Sequence, residues 1–167
     1  MWKSWWGQWV GGFGSGDAAP LQTLLMKICQ EKQALACHLA ERARAVRFGP
    51  HRLSLETMAG LESQSASALA ADIGCGAALA ATAPPTPRPG ILTTSKLIQD
   101  LAEIEDMDTL YRQARQLTAD DLLRGKLEVL AAEEEHNSRT LRGIVAKMDS
   151  YVTDRQEGLA ETERANQ

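Results

Sequence analysis

One short phrase occurs twice in this chain, as Leu61-Glu62-x-x-Ser65-Ala66-x-x-Leu69 and again as Glu133-Glu134-x-x-Asn137-Ser138-x-x-Leu141. In both copies the apolar residues stand three and four positions apart, the spacing of one face of an α-helix. Each copy therefore sets a carboxylate, and one turn later a small polar side chain, on a face that is otherwise apolar. Other helices have to cover such a face. The chain is thereby confined to an all-α bundle with polar groups in its interior.

The last such stretch is the cleanest. From about Ala119 to Tyr151, the residues Leu123, Leu127, Leu130, Glu134, Asn137, Leu141, Ile144 and Met148 step by four and three without a break, so Glu134 and Asn137 are expected to face the core. Thr118-Ala-Asp-Asp121 before it reads as a capping start. A helix from about Arg52 to Ile73 aligns Leu55, Met58, Glu62, Ser65 and Leu69, and one from Ser95 to Leu117 carries Leu97, Leu101, Ile104, Tyr111 and Ala114 inward. The first helix is expected from Leu21 to about Phe48, after Pro20, a good first helical residue. Its seam runs through Leu24, Ile28 and Leu35, and the same steps place Glu31 and His38 on it.

Gly49-Pro50 reads as a short turn, which makes the first two helices an antiparallel pair. Residues 74–94 are rich in Gly, Ala, Thr and Pro, and Pro84-Pro85-x-Pro87-x-Pro89-Gly90 cannot hold a helix. A connection of roughly twenty residues is longer than bundles ordinarily use and is expected where two helices must be joined end to end or where a functional loop is present. The bundle then spans residues 20–151, with an appendage at 1–19 and a polar tail at 152–167 that is expected to fray.

Composition excludes several classes. The net charge of −4 comes from 18 basic and 22 acidic residues scattered along the helices, with no block of Lys and Arg to track phosphates, so nucleic acid is not an expected partner. Three cysteines, Cys29, Cys37 and Cys75, are odd in number and lack C-x-x-C spacing, which signals neither a disulfide framework nor a zinc site. No run of about 18 apolar residues and no secretory signal pattern is present, and a soluble, cytoplasmic protein is expected. Attachment to a larger complex or to the periphery of a membrane is compatible with this.

The two helix pairs align by their seams. Glu31 precedes Glu62 as Ile104 precedes Glu134, and His38 matches Tyr111. With wording such as Leu55-Glu-Thr-Met-Ala-Gly-Leu-Glu62 and Leu130-Ala-Ala-Glu-Glu-Glu135, residues 21 to 150 resemble the rubrerythrin branch of the ferritin-like superfamily. The resemblance implies two helical hairpins joined by a long crossover, a glutamate on the first helix of each pair and Glu-x-x-His on the second, and two bound metal ions. The family's ligands fall on Glu31, Glu62, Ser65, Ile104, Glu134 and Asn137, of which only Glu31, Glu62 and Glu134 keep a ligand of the family's type. The expected site is therefore degenerate.

Glu133-x-x-His136 does spell the motif, but pointing it inward would expose Leu127, Leu130, Leu141 and Ile144, at about 1.5–3 kcal/mol each. Three carboxylates can hold one hard cation through oxygen, and iron or another divalent cation is the alternative cofactor. Equally, the core can be metal-free, its carboxylates protonated or hydrogen-bonded to Tyr111, Ser65, Asn137 and His38. His38 is expected to satisfy the core, His51 to be exposed after the Gly-Pro turn, and Cys29 and Cys37 to be buried small hydrophobes.

Trp2, Trp5, Trp6 and Trp9 fall at i, i+3, i+4 and i+7, so a helix would align the indoles, with Val10 and Phe13 nearly continuing the stripe. Such a stripe folds back on the bundle, meets a second copy of the chain, or docks to a protein groove or membrane interface. The Gly11-to-Gly16 run serves as a tether. Loss of ligands and an exposed aromatic stripe together lead to the expectation of a non-catalytic accessory or structural subunit that engages a larger protein complex or membrane surface. An iron-binding oxidoreductase is the competing expectation. A homodimer is what the family resemblance adds.

Overall fold

The computed structural model describes residues 18–74, 76 and 94–165, those at 18–19 and 149–165 as backbone alone. Four helices account for nearly all of them: α1 (Ala18–Ala45), α2 (Gly49–Asp72), α3 (Thr94–Leu117) and α4 (Asp121–Ala165). Gly49 and Pro50, read from sequence as the turn, are instead the first residues of α2, where a proline's missing N–H leaves no helical hydrogen bond unmade. The turn is Val46 to Phe48. At the other end of α2, Gly74 adopts φ +71° and donates to the Ala71 carbonyl at 3.2 Å, the left-handed stop that glycine takes without strain. Asp120 caps α4 by accepting from the Leu122 N–H at 2.8 Å. Past Tyr151 the sequence holds no proline, and the backbone of α4 stays helical through Gly158 to Ala165.

Pairs of side chains fix the directions of the helices. Arg42 meets Asp100 and His38 meets Glu103, so α1 and α3 run antiparallel. Asn137 meets Glu62 and Lys126 meets Asp72, so α2 and α4 do the same. Both tight turns also join antiparallel neighbours, which leaves α2 and α3 pointing the same way. The end of α2 and the start of α3 thus lie at opposite ends of the bundle, about 36 Å apart for 24-residue helices. A connection of ordinary length could not cover that distance, which accounts for the long segment between them.

The core is continuous, with Leu25, Ile28, Leu35, Leu39, Leu55, Leu97, Ile104, Leu127 and Leu141 each at most 2% exposed. At about 1.5–3 kcal/mol per buried aliphatic side chain, these residues supply the main drive for assembly. Into this apolar interior the sequence inserts charge at two levels. Among the described residues, no helix is long and apolar enough to cross a membrane.

Candidate functional site

The seam expected for α1 carried Glu31. In the structure Ile28 and Leu35 are buried as expected, but the buried face is shifted toward Leu25, Cys29, Lys32, Ala36 and Leu39, and Glu31 faces solvent. Leu24 and Leu25, or Leu35 and Ala36, offer apolar stripes side by side, and α1 alone leaves the rotation open. The opposing helices decide it. Glu62 and Glu134 are 1% and 2% exposed, and a third carboxylate beside them would bury charge of one sign with nothing to offset it. Lys32 supplies the cation.

The Lys32 ammonium, fully buried, donates to Glu62 Oε2 at 2.6 Å and to Glu134 Oε1 at 2.5 Å. It bridges one carboxylate from each hairpin. Tyr111 on α3 donates its hydroxyl to the same Glu134 Oε1 at 3.0 Å, and the Asn137 amide donates to Glu62 Oε1 at 2.6 Å. Tyr111 therefore stands level with Lys32. Glu134 Oε2 is buried without a hydrogen-bond partner, so the cluster is satisfied at all but one carboxylate oxygen.

The electrostatics follow from one cation facing two anions. Burial disfavours the charged form of Lys32, but the Glu134 and Glu62 carboxylates outweigh it and hold the ammonium above the ordinary lysine range. Burial also raises Glu134, to about 7, because the attraction of Lys32 is partly cancelled by repulsion from Glu62. The two shifts fit together if Lys32 stays charged while Glu134 takes up a proton near neutrality, which leaves the buried group without net charge. Burial, followed by the nearby Glu134 and Glu62 charges, pushes the Tyr111 phenol far up, so it serves as a fixed hydrogen-bond donor.

The other sequence candidates scatter. Ser65 is half-buried and donates to Glu133 Oε2 at 3.1 Å, while Ala66 takes the buried position beside it. His136 is exposed, so Glu133-x-x-His136 does not point into the bundle. His51 is 7% exposed rather than solvated, packed edge-on to Phe48 with ring centroids 4.7 Å apart and with Nε2 unpartnered. Burial, helped by the charge of Lys147, holds its pKa below the ordinary histidine value. Cys29 is buried and Cys37 partly so. Trp2, Trp5, Trp6, Trp9 and Phe13 lie outside the described residues.

A second charged layer, between α1 and α3, went unread in the sequence. Asp100, fully buried, accepts from Arg42 Nε at 3.0 Å and from a terminal Arg42 nitrogen at 3.1 Å, a bidentate pair. Burial raises the Asp100 carboxyl although Arg42 opposes it. His38 lies at its edge, with Nδ1 3.0 Å from Glu103 Oε2 and 3.9 Å from Asp100 Oδ1. Asp100 falls in step with Leu97, Ile104 and Tyr111, a signal that could have found it.

No protein-family model, curated protein or solved structure matches the chain. The core of this bundle holds an internal ammonium between two glutamates.

Proposed function

We propose that the protein is a non-catalytic, ferritin-like accessory or structural subunit, in which the Lys32 ammonium takes the place that metal ions occupy between glutamates in di-metal bundles. The observation that carries this reading is the pair of contacts from Lys32 to Glu62 and Glu134, at 2.6 and 2.5 Å. A cation supplied by the chain satisfies the same carboxylates without oxygen or redox chemistry. The shared direction of α2 and α3 supports the ferritin-like part of the reading, since a bundle of consecutive antiparallel helices would need no long crossover. The docking role rests on the helical spacing of Trp2, Trp5, Trp6 and Trp9 and on a bundle that otherwise supports a scaffold.

Elemental analysis of full-length protein incubated with ferrous iron under air tests the first half. Iron well below one ion per chain agrees with the proposal. About two irons per chain, the di-iron stoichiometry, would restore the competing reading of an iron-binding oxidoreductase. Changing Trp5 and Trp6 to Ala tests the second half. The wild type should co-purify with a partner protein that the variant loses while its melting temperature stays in place, and the absence of any partner, or an undisturbed complex, removes the docking role.

A further inference from the structure

We propose that His38, Asp100 and Glu103 form a binding site for one zinc-class divalent cation between α1 and α3. This site does not depend on the accessory-subunit reading. It lies six residues from Lys32 along α1, or about 9 Å of helix rise, and it uses none of the residues around Glu134.

One ligand atom from each of the three residues can be chosen so that all lie within 4.8 Å of one another. A tetrahedral ion with bonds of about 2.0–2.1 Å separates its ligands by about 3.3 Å. The two distances from His38 Nδ1, 3.0 Å to Glu103 Oε2 and 3.9 Å to Asp100 Oδ1, fall on either side of that value. The third pair, Asp100 to Glu103, lies within 4.8 Å, so side-chain rotations that draw the two carboxylates together would seat the ion beside His38 Nδ1.

Ligating carboxylates in built sites are held by outer hydrogen bonds that fix their orientation. Arg42 grips Asp100 in a bidentate fork, and Gln99 Nε2 donates to Glu103 Oε1 at 3.4 Å, the oxygen that His38 does not use. Arg42 is itself met by Glu41 at 3.3 Å, and Glu41 by Lys96 at 4.0 Å. The layer thus sets the carboxylates of Glu41, Asp100 and Glu103 against the cations Arg42 and Lys96, one negative charge in excess when His38 is neutral. Arg42 helps to hold a ligand here without cancelling the attraction for a cation.

His38 is 39% exposed and Glu103 30%, so the ion can enter from solvent while Asp100, at 0%, anchors its inner side. One imidazole nitrogen with two carboxylate oxygens suits zinc and its first-row neighbours better than calcium or magnesium, which take oxygen alone. Three protein ligands leave the fourth position to water. Because α1 and α3 belong to different hairpins, the bound ion would also tie the two halves together.

The test is calorimetric titration of the reduced full-length protein with Zn²⁺, beside His38→Ala and Glu103→Gln. Both positions are partly exposed, so circular dichroism should show both variants folded. The wild type should bind one ion per chain. Each variant should bind it more weakly by at least the ten- to hundredfold typical of losing even an outer-shell partner. Co²⁺ loaded in place of Zn²⁺ should give a spectrum without thiolate-to-metal charge transfer, and Zn²⁺ should raise the melting temperature of the wild type alone. No saturable binding, unchanged affinity in both variants, or a thiolate band assigning the metal to cysteine would each overturn the proposal.

Discussion

Lys32 and Glu134 come from opposite hairpins and meet in the core at 2.5 Å, Nζ to Oε1. Replacing Lys32 by Met keeps most of the volume but strands Glu62 and Glu134 as buried carboxylates. Removing one partner of a buried pair costs about 3–5 kcal/mol. Urea denaturation should show a loss of that size for Lys32→Met and a smaller loss once Glu134→Gln is added. A Lys32→Met loss below about 1 kcal/mol would mean that the carboxylates do not depend on the ammonium.

The pH dependence has a definite sign. Glu134 titrates near 7 in the folded protein against an ordinary value of 4.5, so between those values the native state binds more protons than the unfolded chain. Its contribution makes stability fall as pH rises from about 4.5 to about 7, by an amount on the order of a few kcal/mol, and then level off. Asp100, also raised, acts in the same direction. Lys32, raised as well, contributes stability that persists until pH climbs through its elevated value. Denaturation midpoints measured from pH 5 to 8 should decline for the wild type and decline less for Glu134→Gln; parallel curves would reject the assignment.

Glu31 offers a control from the same turn of helix. It is exposed, and Glu31→Ala should change stability by no more than about 0.5 kcal/mol. Thermal melts of Glu31→Ala and Lys32→Ala side by side read out the rotation of α1 directly. If the two ranked the other way, the helix face described above would be wrong.

Arg42 and Asp100 give a double-mutant cycle. Arg42→Met leaves Asp100 buried without its cation and should cost about 3–5 kcal/mol, much of it recovered when Asp100→Leu is added. Additive losses in the two single variants would show that the bidentate pair is not coupled.

Much of the fold could be read in the residues, because α4 carries an unbroken seam and α2 a nearly unbroken one. Glu134, Asn137 and Glu62 were placed inside by leucines and methionines at fixed steps, and those steps have one interpretation. In α1 they have two, since apolar residues flank both candidate stripes. Steps from Leu24, Ile28 and Leu35 reach Glu31, whereas steps from Leu25, Cys29 and Leu39 reach Lys32. Charge balance was the missing argument: two inward carboxylates demand a cation, and Lys32 is the basic residue in step with Leu25, Cys29 and Leu39. Asp100 was passed over for a similar reason. Its partner Arg42 is remote in sequence, and neither residue alone announces the pair. His51 was misread because position after a turn says little about what a neighbouring helix covers.

In a bundle lined only with aliphatic side chains, a helix can slide by one turn and trade leucine for leucine at little cost. Lys32 removes that freedom. Moving α4 by one turn, about 5.4 Å, would carry Glu134 out of reach and present Leu130 or Ser138 to a buried ammonium. The cluster thus works as an index pin that admits one alignment of the two hairpins and penalises its neighbours.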